Sequence, residues 1–283
     1  MASPIDLHCH SIVSDGTLSP TQLVEHAAAR GVRVLALTDH DDLGGLNEAA
    51  EAARAHDIAF INGVEISVTW HQRTIHIVGL KITPTHAPLA QGLDAIRAGR
   101  HTRAEKIAAE LDAVGIHDSL AGAYRHAQRS IISRSHFARF LVETGHAKDV
   151  ASVFKKYLVK GKPGYQEHHW VGLEEAVNWI TGSGGVAVLA HPGRYDLGRT
   201  NMATLLGEFR AVGGTAIEVV TSSHTPEQYS HFAQLAHQFG FKASLGSDYH
   251  GPGHTYMDMG RLPNLPANCE PVWQGWAEVE GVR

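Results

Sequence analysis

Five clusters of acidic and imidazole side chains recur along this chain, each just after a short apolar run. They are Asp6-Leu7-His8-Cys9-His10, Thr38-Asp39-His40, Asn62-Gly63-Val64-Glu65, Ala190-His191-Pro192 and Gly246-Ser247-Asp248-Tyr249-His250. With Asp15 and His76 they supply enough imidazole and carboxylate for two or three divalent metal ions. Side chains alternate faces along a strand, so His8 and His10 point the same way and can share one ion, with carboxylates arriving from other strand ends. Metal ions held a few ångströms apart lower the pKa of water and polarise phosphoryl oxygens, so the chemistry to expect is hydrolysis.

Convergence requires a scaffold that gathers strand ends. The chain reads as alternating units: strand Ile5–His8, a helix opened by Ser19-Pro20 and closed by Gly31, strand Val34–Leu37, helix Gly45–Ala55 and strand Ile58–Ile61. Glu65–Val68 and Thr74–Leu80 read as a hairpin or as paired strands, with His71-Gln72-Arg73 at the turn. The last third continues with helix Leu173–Ile180, strand Val186–Leu189, helix Met202–Val212, strand Ala216–Val220, helix Pro226–Phe239 and strand Lys242–Leu245. This alternation predicts an α/β fold with a largely parallel sheet, open or closed into a barrel whose C-terminal strand ends share one mouth. The middle is different. Arg103–Val114, Ser119–Gln128, His136–Glu143 and Asp149–Tyr157 all read as helices, predicting an all-helical insertion over 100–165 that caps a barrel made of 1–99 and 166–283.

Bulk properties exclude other classes. The chain has 283 residues, is 43% hydrophobic and carries a net charge of −5, with 21 histidines against 24 lysines plus arginines. No long basic run marks a duplex-DNA footprint. No apolar stretch reaches the roughly 18 residues of a membrane span, and the N-terminus lacks a secretory pattern, so the expectation is a cytoplasmic protein without membrane contact. Cys9 and Cys269 read as free thiols.

Some residues admit two readings. Asp15, in Ser14-Asp15-Gly16, is a ligand or a turn aspartate, and His76 is a ligand or a core histidine. Asp6 and Asp39 suit an outer shell that orients imidazoles. Glu218, flanked by Ile217 and Val219, is either a buried orienting carboxylate or an exposed strand residue.

Asp-Leu-His-Cys-His-Ser at 6–11, Thr-Asp-His at 38–40, Gly-Val-Glu at 63–65, Ala-His-Pro at 190–192 and Gly-Ser-Asp-Tyr-His at 246–250 resemble the polymerase-and-histidinol-phosphatase (PHP) superfamily. The resemblance implies a distorted (β/α)7 barrel and a two- or three-metal phosphoesterase centre. One ion would take His8, His10, Glu65 and Asp248; a second would share Glu65 and add His76 and His191; a third would use Asp15, His40 and His250. Asn62-Gly-Val-Glu-Ile-Ser, Ile75-His-Ile-Val-Gly-Leu, Arg134-Ser-His-Phe-Ala-Arg-Phe-Leu-Val and Gly161-Lys-Pro-Gly-Tyr are similar to a narrower branch. That branch holds nucleoside 3′,5′-bisphosphate phosphatases and 5′-3′ exoribonucleases.

The expectation is therefore a metal-dependent phosphoric ester hydrolase, with Mn²⁺ preferred and Fe²⁺ or Zn²⁺ as alternatives. The expected substrate is a phosphorylated nucleotide, with short single-stranded RNA as a further candidate. Asp248 and His191 stand at the chemistry as ligands. His224, after strand Ala216–Val220, is a candidate general acid and substrate contact. Arg134 and Lys162 are candidate readers of a second substrate phosphate, and Tyr165, Trp170 and Tyr249 candidate base platforms. Histidinol-phosphate phosphatase, C–N hydrolysis of the amidohydrolase kind and a non-catalytic nucleotide-binding module are the competing expectations.

Overall fold

A computed structural model of the chain describes residues 2–127, 131–167, 169–253 and 257–281. Strands β1 (Ile5–Asp6), β2 (Val34–Leu37) and β3 (Ala59–Trp70) run parallel, joined by helices α1 (Pro20–Ala29) and α2 (Leu46–Ala55). All four residues of β2 are buried, as expected of a strand covered on both faces. β4 (Arg73–Leu80) turns back antiparallel on β3 through His71 and Gln72, both at positive φ. Two left-handed residues are what a tight hairpin needs to match strand twist. The expected parallel sheet is thus interrupted here, because a two-residue turn can only reverse the chain.

Helix α3 (Ala87–Asp112) begins well before the expected Arg103. Pro88 in its first turn is the start signal, since proline's missing N–H costs nothing there. Twenty-six residues span about 39 Å, which carries α3 from one core into another. Leu89, Leu93 and Ile96 belong to the barrel core. Ala104, Ile107 and Leu111 pack in a second cluster with Phe137, Phe140, Leu141, Val153 and Leu158. That cluster is completed by α4 (Ser119–Ala127), α5 (Arg134–Glu143), α6 (Val150–Val153) and a π-helical stretch, Phe154–Leu158. Gln128, the expected end of α4, lies outside the described residues.

Beyond the insertion lie β5 (Val171–Gly172), α7 (Leu173–Gly182), β6 (Val186–Leu189), α8 (Arg199–Ala211), β7 (Ala216–Thr221), α9 (Pro226–Phe239) and β8 (Lys242–Gly246). The sheet order is β1-β2-β3-β4-β6-β7-β8, with β5 against the far end of β3. Leu7 donates its N–H to the Leu245 carbonyl at 3.1 Å and Cys9 bridges Tyr249, so β1 meets β8 and the sheet closes. The fold is a distorted (β/α)7 barrel. Its core holds Leu35, Ile66, Ile77, Val188, Ile217 and Leu245, all essentially inaccessible to water.

His136, on α5, is 1% exposed and its Nδ1 accepts the Ser133 N–H at 3.1 Å. Burial pushes its pKa down to about 4, outweighing the opposing pull of Asp15. A depressed histidine pKa contributes stability that is present above the unfolded value, about 6.5, and is lost as pH falls toward 4. The metal-free protein is expected to lose roughly 2–3 kcal/mol through this group across that window. Melting curves of the parent and His136→Asn across it check this. Parallel curves would assign the acid sensitivity to other groups.

Among the described residues, no helix is long and apolar enough to cross a membrane. Cys9 and Cys269 are free thiols.

Candidate metal centre

The loops that follow β1, β2, β6 and β8, together with residues of β3 and β4, converge on one mouth. Glu65 lies at its centre, fully buried. Its Oε2 is 2.8 Å from His40 Nδ1, 3.3 Å from His10 Nε2 and 3.4 Å from His8 Nε2. Its Oε1 is 2.8 Å from His76 Nδ1 and 2.9 Å from His191 Nε2. The hairpin register makes the His76 contact: Ser67 pairs with His76 across β3 and β4, so Glu65 and His76 approach as near neighbours across the two strands.

Around one point, His8 Nε2 and His10 Nε2 are 3.1 Å apart, and Asp248 Oδ1 is 3.5 and 3.2 Å from them. Four donors at metal–ligand bonds near 2.1 Å form a tetrahedron with edges of about 3.4 Å. The spacing of His8, His10, Glu65 and Asp248 therefore fits a single ion. A second group is His10, Asp15, His40 and His250, with His250 Nε2 3.1 Å and His40 Nε2 3.8 Å from Asp15 Oδ1. The third is His40, Glu65 and His76. Here His40 reaches both the second and third groups, while His191 approaches through Glu65. All nine residues that the sequence offers as candidate ligands are gathered at this mouth.

Metal ions fit this donor set. Asp15 Oδ1, His40 Nδ1, Glu65 Oε2 and His191 Nδ1 are buried without a well-formed hydrogen bond among the described residues, although Asp15 Oδ1 lies 3.1 Å from His250 Nε2 and Glu65 Oε2 2.8 Å from His40 Nδ1. Buried polar atoms left in that state are costly unless a ligand completes them. Burial alone would depress the His8 and His10 pKa values, yet the surrounding carboxylates hold both above the usual range. Burial likewise works against ionised Glu65 and Asp248, but the imidazoles keep both well below the ordinary carboxylate range. The site is poised for positive charge.

Outer contacts aim the ligands. Glu218 is buried, with Oε1 2.7 Å from His8 Nδ1 and Oε2 accepting the His191 N–H at 2.6 Å. The first contact leaves His8 Nε2 for metal, and the second holds His191 at φ 27. Of the two readings of Glu218, the buried orienting carboxylate is the one realised. Glu218→Gln is expected to lower metal affinity about 10- to 100-fold. Metal titration by calorimetry checks it, and an affinity equal to the parent's would reduce Glu218 to packing.

Asp39 accepts from the Ser11 N–H, Ser11 Oγ and Ser14 Oγ at 2.6–2.8 Å, fixing the loop that delivers Asp15. Gly16 in that loop is obligatory, since a Cβ there would meet the His10 carbonyl at 2.3 Å. Asp6 accepts the Ser247 N–H at 2.8 Å, and burial raises its pKa to about 6.

The mouth opens into a cleft of about 750 Å³ that also reaches Arg100, Arg103, Arg134, Arg139, Trp170 and Arg194. Arg100, from α3, is held by Asp41 (Nε to Oδ2, 2.9 Å) and by Ser67. Arg103 donates to the Gln166 carbonyl at 3.1 Å, and Arg134 to the Leu158 carbonyl at 3.3 Å. Burial and neighbouring arginines lower the Arg103 pKa to about 9, and burial lowers that of Arg134; among the described residues, no carboxylate pairs with either. Two half-buried cations on carbonyl acceptors make a site for an anion.

Three sequence expectations need correction. Lys162 is exposed and absent from the cleft lining, because the turn at 159–165 points it outward. His224 is buried with both ring nitrogens engaged: Nδ1 faces the Val219 carbonyl at 3.0 Å and Nε2 accepts the Gly193 N–H at 2.9 Å. Neither nitrogen is presented to a substrate, so the ring braces the turn after His191. Tyr249 is 2% exposed and stacks on His26, which removes it as a base platform. Asp41, Arg100 and Arg103 were missed. The available signal was Arg100 itself, an arginine on the same helical stripe as Leu89, Leu93, Ile96 and Ile107.

A model of the PHP domain family matches residues 6–222. The chain is 52% identical over 95% of its length to a 3′,5′-nucleoside bisphosphate phosphatase of Chromobacterium violaceum, covering 95% of that protein. It is 43% identical over 97% of its length to the 5′-3′ exoribonuclease Rnm of Escherichia coli, covering 94% of that protein. A solved structure from Chromobacterium violaceum, described as an amidohydrolase with bound sulfate, superimposes with a TM-score of 0.92 at 51% identity, covering 96% of this chain and 95% of that one.

Proposed function

The chain belongs to the PHP domain family, and from that premise we propose that it is a metal-dependent phosphoesterase. It removes the 3′-phosphate of nucleoside 3′,5′-bisphosphates and shortens 5′-phosphorylated RNA from its 5′ end. The observation that carries this reading is the union, in one cleft, of a three-group metal mouth with two arginines that have no carboxylate partner among the described residues. Divalent cations at the mouth would supply Lewis acidity toward the scissile phosphoryl group; oxygen and imidazole donors without thiolate suit Mn²⁺, Fe²⁺ or Zn²⁺ alike, and Mn²⁺ is preferred on the family resemblance.

The chain's own residues do the rest. Arg134 and Arg103 bind the 5′-phosphate and set the distance from it to the mouth, with segment 100–165 as the cap that carries them. Glu65, Asp248 and the imidazoles hold the ions, and Glu218 and Asp39 keep them aimed. One bond break serves both substrates. Water adds to phosphorus, the P–O3′ bond breaks, and O3′ takes up a proton. A bisphosphate then gives a 5′-monophosphate and inorganic phosphate. RNA gives a 5′-monophosphate and a shortened strand that again bears a 5′-phosphate.

C–N hydrolysis is a second reading, favoured by the description of the sulfate-bound Chromobacterium structure. Against it stand the same two arginines, which a neutral amide substrate would leave uncompensated.

The test is phosphate release by the Mn²⁺-loaded protein from a nucleoside 3′,5′-bisphosphate, with histidinol phosphate and a 5′-phosphorylated RNA oligomer in parallel. The expected result is turnover of both nucleotide substrates with a 5′-monophosphate as product. Turnover of histidinol phosphate alone would discard the substrate class and keep the metal centre.

A further inference from the structure

The cleft is lined by two groups of residues from successive parts of the barrel mouth. One group is built on the β3–β4 hairpin and the insertion, with Thr74, Arg103, Arg134 and Trp170. The other is built from loops after β6, β7 and β8, with Arg194, Ser222, Ser223 and Gly253. In the closed order β1-β2-β3-β4-β6-β7-β8, β6 is the neighbour of β4, so the loop after β6 flanks the hairpin and the loops after β7 and β8 continue round the mouth toward β1. With the 5′-phosphate at Arg103 and Arg134 and the scissile phosphate at the metal mouth, the part of the cleft left for an attached strand is the wall lined by Arg194, Ser222, Ser223 and Gly253.

That wall is organised in advance. Arg194 Nη1 bonds Asp248 Oδ2 at 2.7 Å, while Asp248 Oδ1 faces His8 and His10. The Arg194 side chain nevertheless stays half exposed, at 52%. The turn that carries it is clamped to the loop after β7 by the His224–Gly193 contact and by Gln228 Nε2 to the Gly193 carbonyl at 3.4 Å. Gly193 has no room for a Cβ, which would come within 2.7 Å of Gln228 Nε2 and of the His224 ring. Arg194 and Ser222–Ser223 are thus held as one unit against the metal mouth.

We propose that Arg194 with Ser222 and Ser223 forms a downstream subsite that grips the next phosphate of a single-stranded RNA beyond the scissile one. The subsite rests on the phosphoesterase reading above. Mononucleotide bisphosphates have no atoms to place there, so the subsite makes the difference between a phosphatase substrate and an exonuclease substrate. His224 is a positioning residue for it, acting through Gly193.

The experiment compares kcat/KM for a 5′-phosphorylated trinucleotide and for a nucleoside 3′,5′-bisphosphate on the metal-loaded protein. Arg194→Ala and Ser223→Asp are expected to lower the ratio of the two values at least about tenfold, and Arg194→Lys to restore part of it. Binding of a phosphorothioate-linked trinucleotide, followed against salt, adds a readout that loosening of Asp248 would not move. Loss of one phosphate contact flattens the slope of log K on log[salt] by about 0.7. Equal falls on both substrates, an unchanged ratio or an unchanged slope would overturn the subsite. If the parent hydrolyses neither substrate, the phosphoesterase reading fails, and the binding slopes of parent and Arg194→Ala still decide whether the strand lies here.

Discussion

Exchanging Glu65 for glutamine is expected to cut phosphate release from a nucleoside 3′,5′-bisphosphate by on the order of 10³-fold or more while the fold survives. Five imidazoles lie within 2.8–3.4 Å of its two oxygens, so this carboxylate is shared by more of the ligand set than any other described one. An amide keeps the shape and removes the charge. Each ion that Glu65 touches then loses a negative donor, and His8 and His40 lose a carboxylate that raises their pKa. Metal content per chain is expected to drop with turnover. A melting temperature near the parent's shows that the barrel, whose core does not depend on Glu65, is intact. Full metal content with more than about a tenth of parental turnover would remove Glu65 from the centre of the site.

Most of the candidate ligands stand out in sequence because His8, His10, His40, His191, Asp248 and His250 follow short apolar strands, whose C-terminal ends meet at one mouth of a closed sheet, whereas Glu65 and His76 lie within β3 and β4. Glu65 and His76 needed no long-range information either, since a two-residue turn at His71-Gln72 sets their register. Which ions share which ligand was less legible: His40 reaches two groups, and only the loop geometry around Asp15 and Glu65 reveals it. The phosphate readers were half missed for a physical reason. A cation's sequence neighbours do not say whether it is solvated, so Lys162 and Arg134 looked alike, yet one is exposed and the other half-buried in the cleft wall. A helix begun at Arg103 leaves out Leu89, Leu93 and Ile96, and with them the stripe on which Arg100 falls. His224 failed differently. Its position after β7 suits a proton donor, but one nitrogen turns back to the Val219 carbonyl five residues earlier and the other is taken by the Gly193 N–H, which only the fold brings near.

Arg134→Ala is expected to separate specificity from stability. Charge-assisted bonds to a phosphate are worth roughly 1.5–3 kcal/mol each, so kcat/KM for the 3′,5′-bisphosphate should fall by about 10- to 100-fold. A nucleoside 3′-monophosphate, which offers this side chain nothing to bind, should change far less, and the preference for the doubly phosphorylated substrate should collapse. Stability should move the other way or not at all. In the substrate-free protein Arg134 is drawn out of water beside Arg100 and Arg103, with a carbonyl as its acceptor. Such a charge costs the fold desolvation and repulsion that a neutral side chain does not. A melting temperature at or above the parent's, together with the lost preference, identifies a residue kept for its ligand at the expense of the fold. A lower melting temperature with both substrates impaired equally would instead make Arg134 a strut of the helical insertion, and the 5′-phosphate would then be read by Arg103 alone.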